Sequence, residues 1–283
     1  MDRHRLFHRH AGQHGFRDLS VQLKRWELMR IDFQTYLPDT FDGRSFGPDE
    51  LRALAAEGSV ERCVVMPSAQ PQPDNAALAR RIDAQPEMIG CAALNPARGS
   101  EVVDELEQAV HEWGFMGLRL YPATHGYDLD SSDVDLLLAK ALNLQLPVTV
   151  DGCREHCSPA QVSELASRFP DVPFIVDVGF RPSAPPVSMK IPLPPEGRIA
   201  EVAESVPNVY LGLTTVASVE LYCIKRLMGV CGPQKLIFGS NAPHGIPQFG
   251  VRGFQMGNLP PEEEEAILGG TLARLYRLGG EER

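Results

Sequence analysis

Short apolar runs alternate with longer amphipathic segments from residue 29 onward, and this alternation constrains the fold more than any other feature of the chain. Apolar runs of about four to eight residues indicate buried strands, and longer amphipathic segments indicate helices. Eight strands are predicted: Arg30 to Phe33, Arg62 to Met66, Met88 to Ala93, Gly117 to Leu120, Pro147 to Val150, Phe174 to Val176, Val209 to Leu213 and Leu236 to Phe238.

Helical patterns lie between these strands and after the last one. They cover Asp49 to Ala56, Asn75 to Ala84, Glu101 to Trp113, Asp133 to Asn143, Pro159 to Arg168, Arg198 to Glu204, Val219 to Met228 and Pro261 to Leu278. Eight strand and helix units in about 250 residues are typical of a (β/α)₈ barrel. We therefore predict an α/β fold with a single TIM barrel over residues 29–283. A doubly wound open sheet is the alternative, but no GxGxxG motif follows the first strand.

Two segments do not fit the alternation. In residues 1–28 four histidines are mixed with arginines, without the regular spacing or the acidic and cysteine partners of a metal site, so we interpret them as an N-terminal extension. Six prolines between Arg181 and Arg198 predict a stiff, extended loop. Because it follows the sixth strand, this loop would arch over the ligand-binding end of a barrel, as a lid, a subunit contact in a homodimer or a passive connection.

The charge balance excludes some classes of partner. There are 37 acidic residues against 27 Lys and Arg, and the net charge of −10 repels nucleic acid and anionic lipid surfaces. No apolar run reaches the length of about 20 residues that a membrane span needs, and the N-terminus lacks the apolar core of a signal peptide. We therefore expect a cytoplasmic protein that binds neither nucleic acid nor membranes.

Polar side chains stand at the carboxyl ends of the predicted strands, where the ligand-binding residues of a barrel lie. They are Asp32, Gln34 and Tyr36, then Ser68, Asn95, Arg119, Tyr121, Asp151, Asp177, Thr214 and Thr215, and finally Ser240, Asn241 and His244. A scaffold that served stability alone would not need polar groups at so many of these positions. The pattern therefore predicts a binding pocket at this end of the barrel.

Eight segments, taken in order, resemble the amidohydrolase-related proteins, which include aminocarboxymuconate-semialdehyde decarboxylase. The segments are ERCVVMPS (61–68), MIGCAALNP (88–96), ELEQAVHEWGFMGLRLYP (105–122), LPVTVDG (146–152), FPDVPFIVDVG (169–179), PNVYLGL (207–213), LIFGSNAP (236–243) and EEEEAILGGTLARLYRL (262–278). The resemblance implies a metal-dependent TIM barrel that hydrolyses or decarboxylates a small carboxylated compound. In such proteins strand one carries two histidines, strands five and six one histidine each, and strand eight an aspartate.

The chain departs from this family at every metal-ligand position. Gln34 and Tyr36 stand in place of the histidine pair, Asp151 and Asp177 in place of the next two histidines, and Asn241 in place of the aspartate. Zinc needs three or four imidazole, thiolate or carboxylate ligands, and a neutral amide cannot act as a general base. The run DGCREHC (151–157) adds only a weak ligand pattern. We therefore expect no cofactor.

Three hypotheses remain open. In the first, the barrel is a metal-independent hydrolase or decarboxylase-like carbon–carbon lyase in which Asp151 and Asp177 share a proton as an acid and base pair. In the second, the pocket binds a ligand without transforming it. In the third, Asp151 and Asp177 hold a divalent cation such as Mg²⁺ or Mn²⁺, with a side-chain oxygen of Gln34 or Asn241 as a further ligand.

The first hypothesis assigns roles to individual residues. Asp151, Asp177 and His244 are the candidate catalytic residues. Arg119 would bind a substrate carboxylate, because its planar guanidinium presents a fork of donors. The remaining candidates for substrate binding are Gln34, Tyr36, Tyr121 and Asn241. The structural alternative for the two aspartates is a turn cap or an ion pair with Arg119 or Arg181.

Overall fold

The computed structural model describes residues 29–152, 155–178, 195–214 and 221–278 of the 283-residue chain. The predicted N-terminal extension, Cys153, Arg181 and most of the proline-rich loop lie outside these ranges. Within the ranges, none of the helices has the length and apolar character that crossing a membrane requires.

The described residues form one parallel sheet of eight strands and a separate two-stranded hairpin. The strands of the sheet are β1 (Ile31–Thr35), β4 (Arg62–Val65), β5 (Met88–Ala93), β6 (Gly117–Leu120), β7 (Val148–Asp151), β8 (Phe174–Asp177), β9 (Val209–Thr214) and β10 (Leu236–Gly239). The hairpin, which was not predicted, consists of β2 (Thr40–Phe41) and β3 (Arg44–Ser45). Each predicted strand is present, with its ends displaced by at most two residues.

Each strand of the sheet pairs in parallel with the next one along the chain, from β1 and β4 to β9 and β10. Backbone hydrogen bonds then close the ring between β1 and the segment after β10. The amide of Asn241 donates to the carbonyl of Gln34 (3.0 Å), and the amide of Tyr36 donates to the carbonyl of Ala242 (2.8 Å). We call this junction the β1/β10 seam. The closed strand order confirms the predicted (β/α)₈ TIM barrel.

Helices connect the strands in the order expected for crossover connections. They are α1 (Pro48–Glu57), α2 (Asn75–Ile82), α3 (Glu101–His111), α4 (Pro122–His125), α5 (Ser132–Asn143), α6 (Pro159–Arg168), α7 (Pro195–Ser205), α8 (Leu221–Cys231), α9 (Pro247–Met256), α10 (Pro261–Glu265) and α11 (Thr271–Leu275). Of these, α4 and α9 were not predicted. The capping box of α6 is formed by Ser158 and Gln161, and Pro159 occupies its first turn.

The prediction of one continuous helix from Pro261 to Leu278 is wrong. The segment is divided into α10, a π-helical turn over Ala266–Gly270 and α11. Gly269 lies in that turn, and a Cβ atom built on it would stand only 1.7 Å from the backbone oxygen of Met29. The helix is therefore interrupted where Gly269 packs against the backbone just before β1. The helical periodicity of the sequence cannot predict such a tertiary contact.

Side chains along each strand alternate between two apolar layers. The layer between the sheet and the helices includes Leu118, Leu120, Val148 and Val150. The second layer fills the barrel, where Ile31 and Phe33 of β1 pack with Leu272 and Leu275 of α11. Residues 119, 149 and 151 alternate along their strands with these outer-layer residues. Their side chains therefore face the barrel interior, nearer the carboxyl ends of the strands than the second layer. Polar side chains at these positions are enclosed by the strands.

Candidate functional site

Arg119 is the centre of the polar network inside the barrel. Its side chain is only 1% exposed although it carries a permanent positive charge. Nη1 donates to the side-chain oxygen of Gln34 at 2.8 Å, and Nη2 lies 3.4 Å from Asp177 Oδ2 and 3.7 Å from Asp151 Oδ1. The guanidinium of Arg119, on β6, thus connects side chains from β1, β7 and β8.

Asp151 and Asp177 are direct neighbours because they pair in register across β7 and β8. Both are buried, and both face the guanidinium of Arg119. Asp177 is held from a second side, since the hydroxyl of Thr214 donates to its Oδ1 atom. The ion pair with Arg119 that the sequence analysis gave as the structural alternative is thus present. The catalytic assignment of the two aspartates stays a prediction.

Gln34 and Asn241 face each other across the β1/β10 seam. The side-chain amide of Gln34 donates to Asn241 Oδ1 at 3.1 Å, while its oxygen accepts from Arg119. Asn241 adopts a left-handed backbone with φ of 65°, a conformation that asparagine tolerates better than most residues. The contacts form a continuous chain from Asn241 through Gln34 and Arg119 to Asp177. The predicted convergence of strand-end residues therefore holds for these four and for Asp151.

Two tyrosines surround the guanidinium. The ring centroid of Tyr121 lies 4.8 Å from Arg119 Cζ, which is a cation–π contact, and its hydroxyl donates to the carbonyl of Pro67 at 2.8 Å. Tyr36 is also buried, and burial raises the pKa of its phenol to about 12. Its hydroxyl therefore stays neutral at physiological pH and can donate a hydrogen bond.

His244 lies at the rim of this network and is exposed. Its ring contacts Tyr36 with a centroid separation of 6.4 Å and Phe41 of β2 with a separation of 5.4 Å. Phe41 in turn packs edge to face on Phe46. The unpredicted hairpin thus supplies an aromatic wall at the mouth. Sequence reasoning missed Phe41 because two-residue strands carry no period.

Asp32 is a further buried carboxylate for which the sequence analysis proposed no role. It is completely buried at the β1/β10 seam, where one oxygen, Oδ1, accepts from the amides of Gln34 (3.1 Å) and Ser240 (3.0 Å). The side chain of Ser240 also hydrogen-bonds this carboxyl group and lowers its pKa, against the larger effect of burial. Burial raises the pKa of Asp32 to about 6. The sequence carried a signal for this group, because an aspartate within an apolar strand indicates a buried carboxylate with a specific role.

The weak ligand pattern after β7 has a different structural role as far as it is described. Nδ1 of His156 lies 2.9 Å from Asp128 Oδ1, and Gln161 also donates to that carboxylate. Cys157 is buried. His156 therefore pairs with an exposed aspartate.

A family comparison covers almost the whole barrel. The amidohydrolase family model matches residues 24–278. The chain belongs to the amidohydrolase family. This confirms the resemblance drawn from the eight sequence segments. No curated protein matches the chain.

Solved structures of low sequence identity share the fold. The 5-carboxyvanillate decarboxylase LigW from Sphingomonas paucimobilis is 14% identical with a TM-score of 0.67, over 88% of this chain and 99% of that one. The 2,6-dihydroxybenzoate decarboxylase from Rhizobium is 13% identical with a TM-score of 0.68, over 89% and 99%. The 5-carboxyvanillate decarboxylase from Novosphingobium aromaticivorans is 12% identical with a TM-score of 0.67, over 88% and 96%. At these identities the likeness shows the fold alone.

The expectation that no cofactor takes part is contradicted by these comparisons. The Novosphingobium decarboxylase was crystallised with bound manganese, and so was a dihydroxybenzoic acid decarboxylase from Polaromonas with the same fold. A divalent cation therefore has to be included in any test of this barrel.

The arrangement of the side chains in this chain does not fit a divalent cation. Gln34, Asp151 and Asp177 carry oxygens that suit manganese, and one oxygen of each residue already faces the guanidinium of Arg119. A second cation in that space would be repelled by the first. Among the described residues, no three His, Cys, Asp or Glu side chains converge as a metal-binding group.

Proposed function

We propose that this barrel is a carboxy-lyase or hydrolase of the amidohydrolase type that acts on a small carboxylated compound bound beside Arg119. The observation that carries the proposal is the buried guanidinium, which lies at the mouth end of the strands between two carboxylates. The shared fold of the benzoate-type decarboxylases supports a carbon–carbon lyase over a hydrolase.

Substrate binding would exchange one carboxylate for another. The ion pair of Arg119 with Asp151 is longer (3.7 Å) than its ion pair with Asp177 (3.4 Å), and Gln34 is bonded at 2.8 Å. The Nε atom of Arg119 has no hydrogen-bond partner among the described residues. An incoming carboxylate can therefore take donors of the guanidinium and displace Asp151 first. The bound substrate would be surrounded by hydroxyl and amide groups that donate and accept hydrogen bonds, from Tyr36, Tyr121, Gln34 and Asn241.

Asp151 would then become the acid of the lyase step. Once separated from Arg119, it lies beside the anionic Asp177, and two neighbouring carboxylates favour protonation of one of them. In the reaction the bond to the substrate carboxylate breaks, CO₂ leaves, and the electron pair stays on the substrate carbon. That carbon takes the proton from Asp151, which recovers it from solvent water. His244, the third candidate catalytic residue, would hydrogen-bond the reacting group from the rim, where its ring contacts Tyr36 and Phe41.

Asp177 would act as the fixed anion of the pair. Its two oxygens are held by Thr214 and Arg119, so it cannot turn toward the substrate without losing both contacts. In a hydrolytic reaction the same arrangement would let Asp151, in its ionised form, accept a proton from the attacking water. The lyase reaction thus needs protonated Asp151, whereas the hydrolytic reaction needs ionised Asp151.

A non-catalytic ligand-binding barrel is the second candidate. The observation that favours it is that Arg119 forms ion pairs with both aspartates in the absence of a ligand. Such a site can exchange one carboxylate partner for another without any bond being broken.

The test combines binding with turnover. The full chain is titrated with 2,6-dihydroxybenzoate and 5-carboxyvanillate as probes, and CO₂ release is measured with and without added Mn²⁺. We expect Asp177→Asn to abolish turnover while binding persists, and Asp171→Asn to change neither. Asp171 is an exposed aspartate just before β8, so it controls for the lost charge. Binding without turnover in the unmodified protein would establish the binder instead, and absence of binding to any small carboxylate would refute both.

A further inference from the structure

Asp32 lies behind the candidate site and is not part of the proposed reaction. It is separated from Gln34 by one residue on β1, and from Asn241 by the backbone of Ser240 on the other side of the seam. Its Oδ1 atom accepts from the amide of Gln34 at 3.1 Å and from the amide of Ser240 at 3.0 Å. One carboxylate oxygen is thus bonded to backbone on both sides of the junction that closes the barrel.

The local backbone explains why a carboxylate is used here. The parallel pairing of β1 with β4 is irregular between Asp32 and Thr35. On the other side of the seam, Asn241 has a left-handed backbone. Neither strand follows regular ladder geometry at this point, so buried amides there need an acceptor other than a strand carbonyl. A short acidic side chain provides a strong acceptor for two amides at once.

We propose that Asp32 is a positioning residue, which holds the side chains of Gln34 and Asn241 in contact by fixing the backbone on both sides of the β1/β10 seam. The contact between these two amides (3.1 Å) sets where the oxygen of Gln34 points. That oxygen is the closest partner of Arg119, at 2.8 Å. Asp32 therefore acts on the guanidinium through Gln34, without touching a bound molecule.

This arrangement distinguishes Asp32 from an ordinary structural hydrogen-bonding group. Thr35, on the same strand, makes a comparable buried hydrogen bond, from its hydroxyl to the carbonyl of Val64 at 2.9 Å. That bond joins β1 to β4, on the edge of the strand away from the seam. Loss of either bond weakens the packing of β1, but only loss of the Asp32 bonds releases the Gln34 and Asn241 pair.

The test uses the side-chain amide signals of Gln34 and Asn241 in NMR spectra of the full-length protein, assigned by their absence from Gln34→Glu and Asn241→Asp. We expect Asp32→Ala to shift or broaden both signals. Asp32→Asn keeps an acceptor oxygen and should restore the original positions. Thr35→Val is the matched control and should leave both signals in place. Should Asp32→Ala fail to fold, Asp32→Ser takes its place.

Binding provides a second measurement. This measurement rests on the proposed function, because it takes Gln34 and Arg119 to contact the bound carboxylate. We expect Asp32→Ala to weaken binding of 2,6-dihydroxybenzoate about tenfold, and Asp32→Asn to restore it. If the unmodified protein binds no carboxylate, the proposed function fails while the NMR comparison still decides the role of Asp32. Unchanged amide signals in Asp32→Ala, or equal shifts in Thr35→Val, would overturn the positioning role.

Discussion

The stability of this barrel should depend on the protonation of one carboxyl group, Asp32. Burial raises the pKa of that group in the folded protein from its ordinary value of 3.8 to about 6. Below pH 3.8 the group is protonated in both the folded and the unfolded chain. Between the two values the folded chain retains a proton that the unfolded chain has lost, so rising pH reduces the free energy of unfolding. Above pH 6 the loss is complete.

The magnitude follows from the two pKa values. Each pH unit between 3.8 and about 6 is worth about 1.36 kcal/mol, so the free energy of unfolding should fall by about 3 kcal/mol across this interval. Asp32→Asn removes the titrating group but keeps an oxygen that can accept from both backbone amides. Between about pH 3.5 and 7, the free energy of unfolding of the unmodified protein should therefore fall by about 3 kcal/mol relative to that of Asp32→Asn.

Urea denaturation of the two proteins at pH 4, 5, 6 and 7 measures this difference. Other titrating groups are common to both and cancel in the comparison, provided that each unfolds in a two-state transition. Asp171→Asn, at an exposed site, controls for the change in net charge. A difference between the unmodified protein and Asp32→Asn that stays constant over the whole interval would show that burial does not raise the pKa of this group.

Three further changes test the packing of the site and the barrel. Arg119→Met should destabilise the fold by about 3–5 kcal/mol, because two buried carboxylates lose the positive charge between them. The same change should strengthen Mn²⁺ binding, measured by calorimetric titration, whereas Arg119→Lys, which keeps the charge, should not. Thr214→Val should cost about 1 kcal/mol and lower turnover, because Asp177 loses a donor, and Thr214→Ser should restore both. Gly269→Ala should destabilise the protein by about 3 kcal/mol in thermal unfolding, because its Cβ would collide with a backbone oxygen, while the neighbouring Gly270→Ala should have a small effect.

The fold was predictable because its determinants are local. The apolar composition of the run Pro147 to Val150 predicts a strand, which the structure has at Val148–Asp151, and the alternation of such runs with helices leaves few topologies open. The convergence of strand-end residues followed from the topology, since the carboxyl ends of all strands in a barrel meet at one mouth. That argument placed Arg119 near Asp151 and Asp177 before any distance was known.

The contacts within the site were less predictable. The long side chain of Arg119 could have reached several strands, and only the interior packing decides that it lies between the carboxylates. The role of Asp32 depends on an irregular register in β1, which leaves no trace in the apolar pattern. The hairpin that brings Phe41 to His244 has two-residue strands, which are too short to show a period.

The charge of the site sets a condition on carboxylate binding that can be measured directly. Arg119 compensates Asp151 and Asp177 only in part, so a guest carboxylate adds a third negative group around one positive charge. Enclosed in the barrel, this excess is relieved most simply when one carboxylate takes up a proton. Calorimetric titration with 2,6-dihydroxybenzoate at pH 7 in buffers of different ionisation enthalpy should therefore show uptake of about one proton per bound molecule. Repeating the titration with Mn²⁺ shows whether a cation replaces that proton. Binding without proton uptake, in the absence and in the presence of the metal, would mean that the guest carboxylate does not enter the space beside Arg119.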